Sequence, residues 1–371
     1  MVRPASRPPP MNTSSPSAAR RIAPTALATF VADAARRAGL PDAAATTLAA
    51  ALVQADTMGV HTHGTKLLVG YLRKLVAGGY RAAAEPRVLR EGPGWAVVDG
   101  GQALGQIGSS FAMEIAIAKA RTVGVATVAL RDTGHIGAAG CYALQAARAG
   151  LVGIVAGNDM PSVAAPGSRG AVLGSNPLAW AAPVPGSEPI LLDIATAAVA
   201  GGKVYAAVQR GEPLPQGWLI GPDGLPTTDG SLYPGQASLA PMAGHKGFGF
   251  GLLAEILSGV LAGGTVTRQV GSWMFDPAAE PSRHNAGFIA IDAATIAGPE
   301  AYGQAIAHLA AEIRAAAPAV GCDRVRLPGD LEWERRGRAL ADGIDLPDDV
   351  RVALHRAAET VSAPLPDFLR D

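Results

Sequence analysis

The alternation of short apolar strands with helical segments between residues 87 and 156 most constrains the fold of this chain. A strand pattern interrupted by Pro93-Gly94 comes first, and we expect Ser109 to cap the helix that follows. Strand and helix patterns occur in turn at 87–98, 109–121, 124–131, 138–149 and 151–156. Such alternation predicts a mixed α/β fold built around a sheet, rather than a bundle or a sandwich.

The segments on either side of this alternation have different patterns. Helical patterns lie at 25–38, 42–58 and 65–76 before it, and at 248–262, 300–316 and 348–361 after it. Residues 161–244 are rich in Pro and Gly and predict mainly loops, with short strands expected at 190–194 and, further on, at 287–291. The chain therefore adds helical units to a central α/β region.

Composition excludes several classes of protein. The 31 Lys and Arg residues balance the 31 Asp and Glu residues, so no excess of positive charge favours nucleic acid as a partner. Apolar residues make up 49% of the chain, enough for a large core, but no uninterrupted apolar run is long enough for a membrane helix. Two cysteines, Cys141 and Cys322, cannot form a disulfide framework. We expect a cytoplasmic protein without nucleic-acid or membrane partners.

The first residues are rich in Pro, Ser and Arg and contain no acidic side chain. They lack the apolar segment of a secretory signal, which leaves a transit peptide or a disordered tail. We expect residues 1–22 to be a disordered tail and order to begin near Pro24.

Two histidines, His61 and His63, stand one residue apart before a predicted helix. A His-x-His pair can bind a metal ion, and a single histidine near its ordinary pKa can act as a general acid or base. A histidine at a helix entry can also form local hydrogen bonds alone. The spacing is compatible with all three roles: metal ligand, general acid or base, and local hydrogen bonding.

A glycine-rich loop around His135 joins a predicted strand to a predicted helix. Gly134, Gly137 and Gly140 recur at three-residue spacing, which differs from the G-x-G-x-x-G fingerprint of Rossmann folds. Glycines at a helix N-terminus allow close approach of an anionic ligand. The loop is either a ligand site or a tight connection.

Three further polar positions lie near predicted element ends. Asn176 lies in a Ser-Asn-Pro turn, and Asp193 ends a short apolar strand, where a carboxylate can bind a ribose. Lys246 lies among glycines at a helix start, which suits a phosphate or carboxylate. Glu255 lies further along the same apolar helix, where we expect it to pair internally rather than react.

In this order, these segments resemble the malate/L-lactate dehydrogenase family, which is distinct from the Rossmann-type enzymes. The resemblance runs from about Pro24 to the C-terminus, and its motifs are weak singly but specific together. They are Thr62-His63-Gly64, Gly134-His135-Ile136-Gly137, Gly174-Ser175-Asn176-Pro177-Leu178-Ala179, Asp193-Ile194-Ala195-Thr196, Gly201-Gly202-Lys203, Gly244-His245-Lys246-Gly247-Phe248-Gly249 and Leu327-Pro328-Gly329-Asp330.

The resemblance implies an α/β (α+β) fold of the sulfolactate-dehydrogenase-like type, which binds NAD or NADP without a Rossmann domain. It implies a homodimer with the active site near the subunit interface and a small-molecule substrate. We expect a helical domain from residues 23–85 and 299–371, and an α/β cofactor-binding domain at 86–298.

The resemblance also implies roles for particular residues. His63, supported by Thr62, corresponds to the family's acid/base, and His135 to a second histidine that has this role in some members. The implied substrate residues are Ser175, Asn176 and Pro177. The implied cofactor residues are His135, Ile136, Gly137, Asp159, Asp193, Ile194, Ala195, Lys246, Pro328 and Gly329.

Two positions depart from the family pattern. Leu67 stands where relatives usually carry an Arg for the substrate carboxylate, and Lys66 beside it is the candidate replacement. Without a replacement, we expect the substrate to be neutral or apolar near Leu67. Lys203 stands where imine reductases of the family tend to carry Asp, which favours reduction of C=O over C=N.

The expected activity is hydride transfer between NAD(P) and a 2-hydroxy acid or 2-oxo acid. The alternatives are an NADPH-dependent reductase of a cyclic imine carboxylate and a metal-dependent hydrolase using His61, His63 and His135. We assign no metal to the preferred activity. A regulatory relative without turnover is a further rival, because Leu67 replaces the family's Arg.

Overall fold

The computed structural model describes residues 21–370. Its α-helices are α1 (Pro24–Arg37), α2 (Asp42–Thr57), α3 (Leu68–Ala77), α4 (Gly105–Val123), α5 (Gly140–Arg148), α6 (Gly201–Gln209), α7 (His245–Glu255), α8 (Ala293–Ala297), α9 (Pro299–Arg314), α10 (Asp330–Asp342) and α11 (Asp348–Thr360).

Its first seven strands are β1 (Arg21–Ile22), β2 (Arg87–Gly92), β3 (Trp95–Asp99), β4 (Val125–Thr133), β5 (Val152–Gly157), β6 (Val163–Ala164) and β7 (Ala171–Leu173). The other seven are β8 (Leu178–Ala182), β9 (Ile190–Ile194), β10 (Leu219–Ile220), β11 (Pro226–Thr227), β12 (Ser238–Leu239), β13 (His284–Ile291) and β14 (Ile344–Asp345).

A seven-stranded sheet in the order β2-β3-β4-β13-β5-β8-β9 forms the centre of the molecule. Only β3 and β4 are parallel; the other neighbouring strands are antiparallel. Helices α4 and α5 pack on one face, and α7 with the π-helical segment Ile256–Val260 packs on the other. The central strand β13 is therefore enclosed, and its Phe288 is completely buried.

A smaller five-stranded sheet, in the order β11-β10-β12-β6-β7, lies within the region that the sequence predicts as loops. It has its own apolar cluster, which includes Val204 of α6 and Leu219 of β10. The abundant Pro and Gly hide these short strands from a pattern search because each strand has only two or three residues.

The helices from the two chain ends share one apolar core. Leu27, Leu48, Leu72 and Leu354, from α1, α2, α3 and α11, belong to the same buried cluster. Strand β1 pairs with β14, so residues 21 and 22, which were predicted to belong to the tail, form a strand. The tail predicted for residues 1–22 otherwise lies outside the described residues.

The structure corrects some predicted boundaries. Ser109 does not cap α4: the helix begins at Gly105, and Ser109 is completely buried within it. Helices α6 and α10 were not predicted. Apolar residues of α9 and the following loop, such as Ala310 and Leu327, pack with Ile190 at the edge of the large sheet, although the sequence placed them in the helical domain.

No helix within residues 21–370 combines the length and the apolar character needed to cross a bilayer.

Candidate active site

A buried carboxylate, Asp56 at the end of α2, fixes the turn that carries the first two histidines. Its Oδ2 accepts hydrogen bonds from the backbone N–H (2.9 Å) and the hydroxyl (2.6 Å) of Thr65, while its Oδ1 lies 3.0 Å from Nδ1 of His61. A Cβ on Gly64 would overlap the carboxylate, so the close approach requires glycine. His61 therefore belongs to the framework of the turn.

His63 lies in the same short turn and is half-buried. Its Nδ1 is 3.0 Å from Oγ1 of Thr62. Burial lowers the pKa of His63 below its ordinary 6.5, and the nearby carboxylates Asp193 and Asp159 partly offset this effect. Near neutral pH, the imidazole is therefore predominantly neutral and able to accept a proton.

His135 lies next to His63, with the two ring centroids 6.0 Å apart. The hydroxyl of Tyr71 is 2.8 Å from its Nδ1, and the ring of Trp273 stacks on it at 4.7 Å. Burial lowers the pKa of His135 to about 3, helped by the nearby His284 and His63 and opposed by Asp159. His135 is thus a neutral imidazole at physiological pH.

A third imidazole, His284 of β13, completes a cluster that we call the histidine site: His63, His135, Trp273 and His284. His284 is buried, and its ring meets that of His135 edge to face at 5.6 Å. Its Nε2 is 3.0 Å from Oδ1 of Asp159. The predicted acid/base candidates and Asp159 therefore lie together.

The histidines are not arranged as a metal site. Among residues 21–370, no group of three or more His, Cys, Asp and Glu side chains is placed to hold a metal ion. His61 is engaged by Asp56 and His63 by Thr62. The metal-dependent hydrolase considered from the sequence has no support in this geometry.

The predicted cofactor residues Asp193 and Lys246 lie on neighbouring segments. Oδ2 of Asp193 accepts a hydrogen bond (2.8 Å) from the backbone N–H of Gly140, the first residue of α5. The side chain remains open to solvent, and its partial burial raises the pKa of the carboxyl, against the effects of Gly140 and His63.

The segment after Asp193 runs beside the entry to α7. Thr196 O accepts a hydrogen bond from the N–H of Met242, and Ala197 bridges to Pro241. Helix α7 then begins with Lys246 exposed, and no residue in the described range 21–370 accepts from the backbone N–H groups of His245 and Lys246.

These features fit a dinucleotide. Free N–H groups and an ammonium at a helix N-terminus suit a phosphate, and a carboxylate at a strand end suits a ribose. The residues that would hold NAD or NADP are Lys246, Asp193, Ile194 and Ala195, together with the His135-Ile136-Gly137 loop, which precedes α5.

The Ser175-Asn176-Pro177 turn does not expose its central side chain. Asn176 is completely buried with φ +32°, and its Nδ2 donates to Glu255 Oε2 (2.7 Å) and Gly251 O (3.0 Å). The role of direct substrate contact expected for Asn176 is therefore wrong in this conformation. Its Oδ1 instead accepts from the N–H of Asp159, which makes Asn176 a positioning residue.

The side chains at and beside the position of the missing arginine have partners elsewhere. Nζ of Lys66 forms an ion pair with Asp349 Oδ2 at 2.6 Å, and Leu67 is buried in the helical core. The structure thus shows no link between Lys66 and the histidine site. Lys203 is exposed on the first turn of α6.

The late Pro328-Gly329 turn contacts the strand that carries Asp193. Leu191 N donates to Pro328 O (3.1 Å), and Gly329 packs on Leu191. This turn therefore supports the strand two residues before Asp193.

Several site residues carry no sequence signal. Tyr71 lies on the buried face of α3, and Tyr80, Trp273, Ser282 and His284 lie in segments without a recognisable motif. The polar Ser-x-His sequence at residues 282–284, shortly before the predicted 287–291 strand, was the one available hint for His284.

Comparison with known proteins places this chain and its fold in one family. A model of the malate/L-lactate dehydrogenase family matches residues 22–355. Ureidoglycolate dehydrogenase (NAD(+)) from Escherichia coli K12 is 35% identical over 314 residues, covering 85% of this chain and 89% of that protein.

Two solved structures show the same fold. Sulfolactate dehydrogenase from Methanocaldococcus jannaschii superimposes with a TM-score of 0.85 at 30% identity, covering 92% of this chain and 98% of the other. Delta1-piperideine-2-carboxylate reductase from Pseudomonas syringae pvar. tomato gives a TM-score of 0.81 at 31% identity, covering 92% and 99%.

The fold and the histidine site thus define a nicotinamide-dependent dehydrogenase of the non-Rossmann type. The chain belongs to the malate/L-lactate dehydrogenase family. This membership confirms the predicted fold, the enzyme class and the use of NAD or NADP.

We predict that His63→Asn lowers kcat roughly 100-fold or more, the usual scale for loss of general acid–base catalysis. Because burial lowers the His63 pKa below 6.5 and oxidation requires the neutral ring, kcat/KM for oxidation should rise with pH and level off at a lower pH than for an ordinary histidine. Stopped assays from pH 4.5 to 9 measure this profile. If His135→Asn loses activity while His63→Asn retains it, the roles are reversed.

We predict that Lys246→Ala weakens cofactor binding, because it removes the ammonium from the α7 N-terminus. Titration of NADH and NADPH by fluorescence measures the dissociation constants. Arg356→Ala, which removes an exposed cation from α11, is the matched control. Equal affinities in wild type and Lys246→Ala would remove Lys246 from the cofactor site.

Proposed function

We propose that this enzyme transfers a hydride between NAD(P) and the C2 carbon of a 2-hydroxy acid or 2-oxo acid, with His63 as the acid/base. The observation that carries the proposal is the pairing of two dissimilar imidazoles, His63 and His135, beside Asp159. His63 can exchange a proton, while His135 remains neutral.

The bound nicotinamide supplies or accepts the hydride. For oxidation we assign the Nδ1–H tautomer to His63, with Nδ1–H donating to Thr62 Oγ1 3.0 Å away; Nε2 is then the acceptor for the hydroxyl proton. In reduction, the protonated ring returns that proton to the developing alkoxide and stabilises its charge.

His135 has a complementary role in this proposal. Burial raises the pKa of Tyr71 well above its usual value, so its hydroxyl stays protonated and can donate to Nδ1 of His135. The Nε2–H of a neutral His135 is then a fixed donor. It can polarise the substrate oxygen without bringing a second positive charge beside His63.

A cyclic imine carboxylate is the second candidate substrate. Asp159 and Asp193 lie close enough to His63 to influence its pKa, and such carboxylates stabilise a protonated C=N group. The similar fold of the piperideine-2-carboxylate reductase supports this candidate, whereas Lys203 favours C=O reduction.

We also propose a cytoplasmic homodimer with its active sites near the subunit interface. Helix α7 and the segment after it expose Phe250, Leu253, Ile256, Val260 and Leu261, each at least 40% accessible. An apolar patch of this kind is typical of an interface. It follows Lys246 along the same helix, and the free thiols Cys141 and Cys322 suit a reducing compartment.

A substrate screen tests the proposed function. We predict NAD(P)-linked turnover, followed at 340 nm, with 2-oxo acids or 2-hydroxy acids, and none that depends on added metal or is lost with a chelator. The screen includes cyclic imines with both cofactors. Exclusive imine turnover would select the second candidate, and no turnover of either class would contradict the proposal.

We predict that Lys66→Ala changes KM for 2-oxo acids less than twofold, since its ammonium is paired with Asp349. The ion pair is exposed, so stability should fall by less than about 1 kcal/mol. Asp349→Ala is the control that breaks the same pair from the other side. A steep rise in KM for Lys66→Ala alone would instead make Lys66 the carboxylate ligand.

A further inference from the structure

The side chain of Asp159 is held by a one-directional chain of hydrogen bonds. Tyr80 OH lies 2.9 Å from Ser282 Oγ, which lies 2.9 Å from His284 Nδ1. Burial raises the pKa of Tyr80 to about 12, so its hydroxyl remains a donor. Donation from Tyr80 to Ser282 and from Ser282 to His284 leaves Nε2–H of His284 to donate to Asp159.

The backbone of Asp159 is held independently. Its N–H donates to Asn176 Oδ1 at 3.1 Å, and Asn176 is anchored by the buried Glu255. Neither Asn176 nor Glu255 is reachable by solvent. The Asp159 carboxylate is therefore fixed in both position and orientation, which a recognition group requires.

One oxygen of this carboxylate is available. Oδ1 accepts from His284 Nε2 and from the N–H of Met160 (2.8 Å), whereas Oδ2 has no hydrogen-bond partner among residues 21–370. The side chain keeps 24% of its surface exposed, although His284 behind it keeps only 2%. A ligand can thus reach the carboxylate but not the imidazole that orients it.

The charge of Asp159 is not neutralised by a strong cation. Burial opposes its ionisation, but His284, His135 and the Met160 N–H together hold its pKa below the usual range. None of these groups is lysine or arginine. At the position where the family pattern implies an arginine for the substrate carboxylate, this chain has the apolar Leu67, which is buried in the helical core, and Lys66 is paired with Asp349.

We propose that Asp159, oriented by His284, is a specificity residue that binds a positively charged nitrogen group of the substrate and disfavours a second carboxylate. This inference rests on the proposed function, because it concerns the substrate of the same site. His284 acts through Asp159 and is a positioning residue. A charge-assisted hydrogen bond to Oδ2 supplies the selectivity.

Three 2-oxo acids of similar length test the proposal: 5-guanidino-2-oxopentanoate, 2-oxohexanoate and 2-oxohexanedioate, with cationic, neutral and anionic ends. We expect wild-type kcat/KM to fall in that order. The cationic and anionic probes should differ on the order of 10- to 100-fold, the scale of a hydrogen bond to a charged group. The preference should lie mainly in KM.

Variants separate recognition from folding. Asp159→Asn keeps the shape and removes the charge, so the cationic and anionic probes should become nearly equal. His284→Leu removes the orienting donor and should reduce the preference, whereas His284→Gln can still donate to Asp159 and should retain more of it. Circular dichroism and thermal unfolding establish that each variant is folded.

Binding is measured separately from turnover, by fluorescence titration of each probe into the enzyme–cofactor complex. Turnover or binding with no preference among the three probes overturns the inference and leaves the proposed function intact. Absence of turnover with a preserved cationic preference in binding, lost in Asp159→Asn, contradicts the proposed function but supports the assignment of Asp159.

Discussion

A buried carboxylate, that of Glu255, connects the parts of the structure that form the site. It accepts hydrogen bonds from Asn176 (2.7 Å), from Asn158 (3.3 Å) and from the N–H of Thr267 (2.9 Å). An unpaired carboxylate at this depth would be strongly destabilising, so these donors must come together when the chain folds. The resulting network fixes α7, the Asn176 turn and the backbone before Asp159 relative to one another.

The site uses burial to give similar groups different roles. Burial lowers the pKa values of both His63 and His135, and the neighbouring His284 and His63 help to bring that of His135 to about 3, so His135 stays neutral at physiological pH. His284 is more deeply buried than either and is placed to donate a hydrogen bond to Asp159. In the proposed mechanism one proton is exchanged, and the distinct environments of the three histidines favour His63 for that exchange.

The site also differs in charge from what the family pattern implies for a carboxylate substrate. Leu67 is part of the helical core, and Lys66 is paired at the surface. Asp159 and Asp193 meanwhile lie close to His63. Under the specificity proposed for Asp159, these carboxylates favour a substrate that carries no second negative charge.

The sequence by itself determined the family, the α/β core and the acid/base candidates, because these depend on periodic apolar patterns and contiguous motifs such as Thr62-His63-Gly64. Only the tertiary structure decided the polar partners. His284 and Tyr80 come from segments about 200 residues apart, and Asn176 proved to be buried rather than exposed to substrate. Burial and hydrogen-bond partners arise when distant segments pack, so no local pattern could specify them.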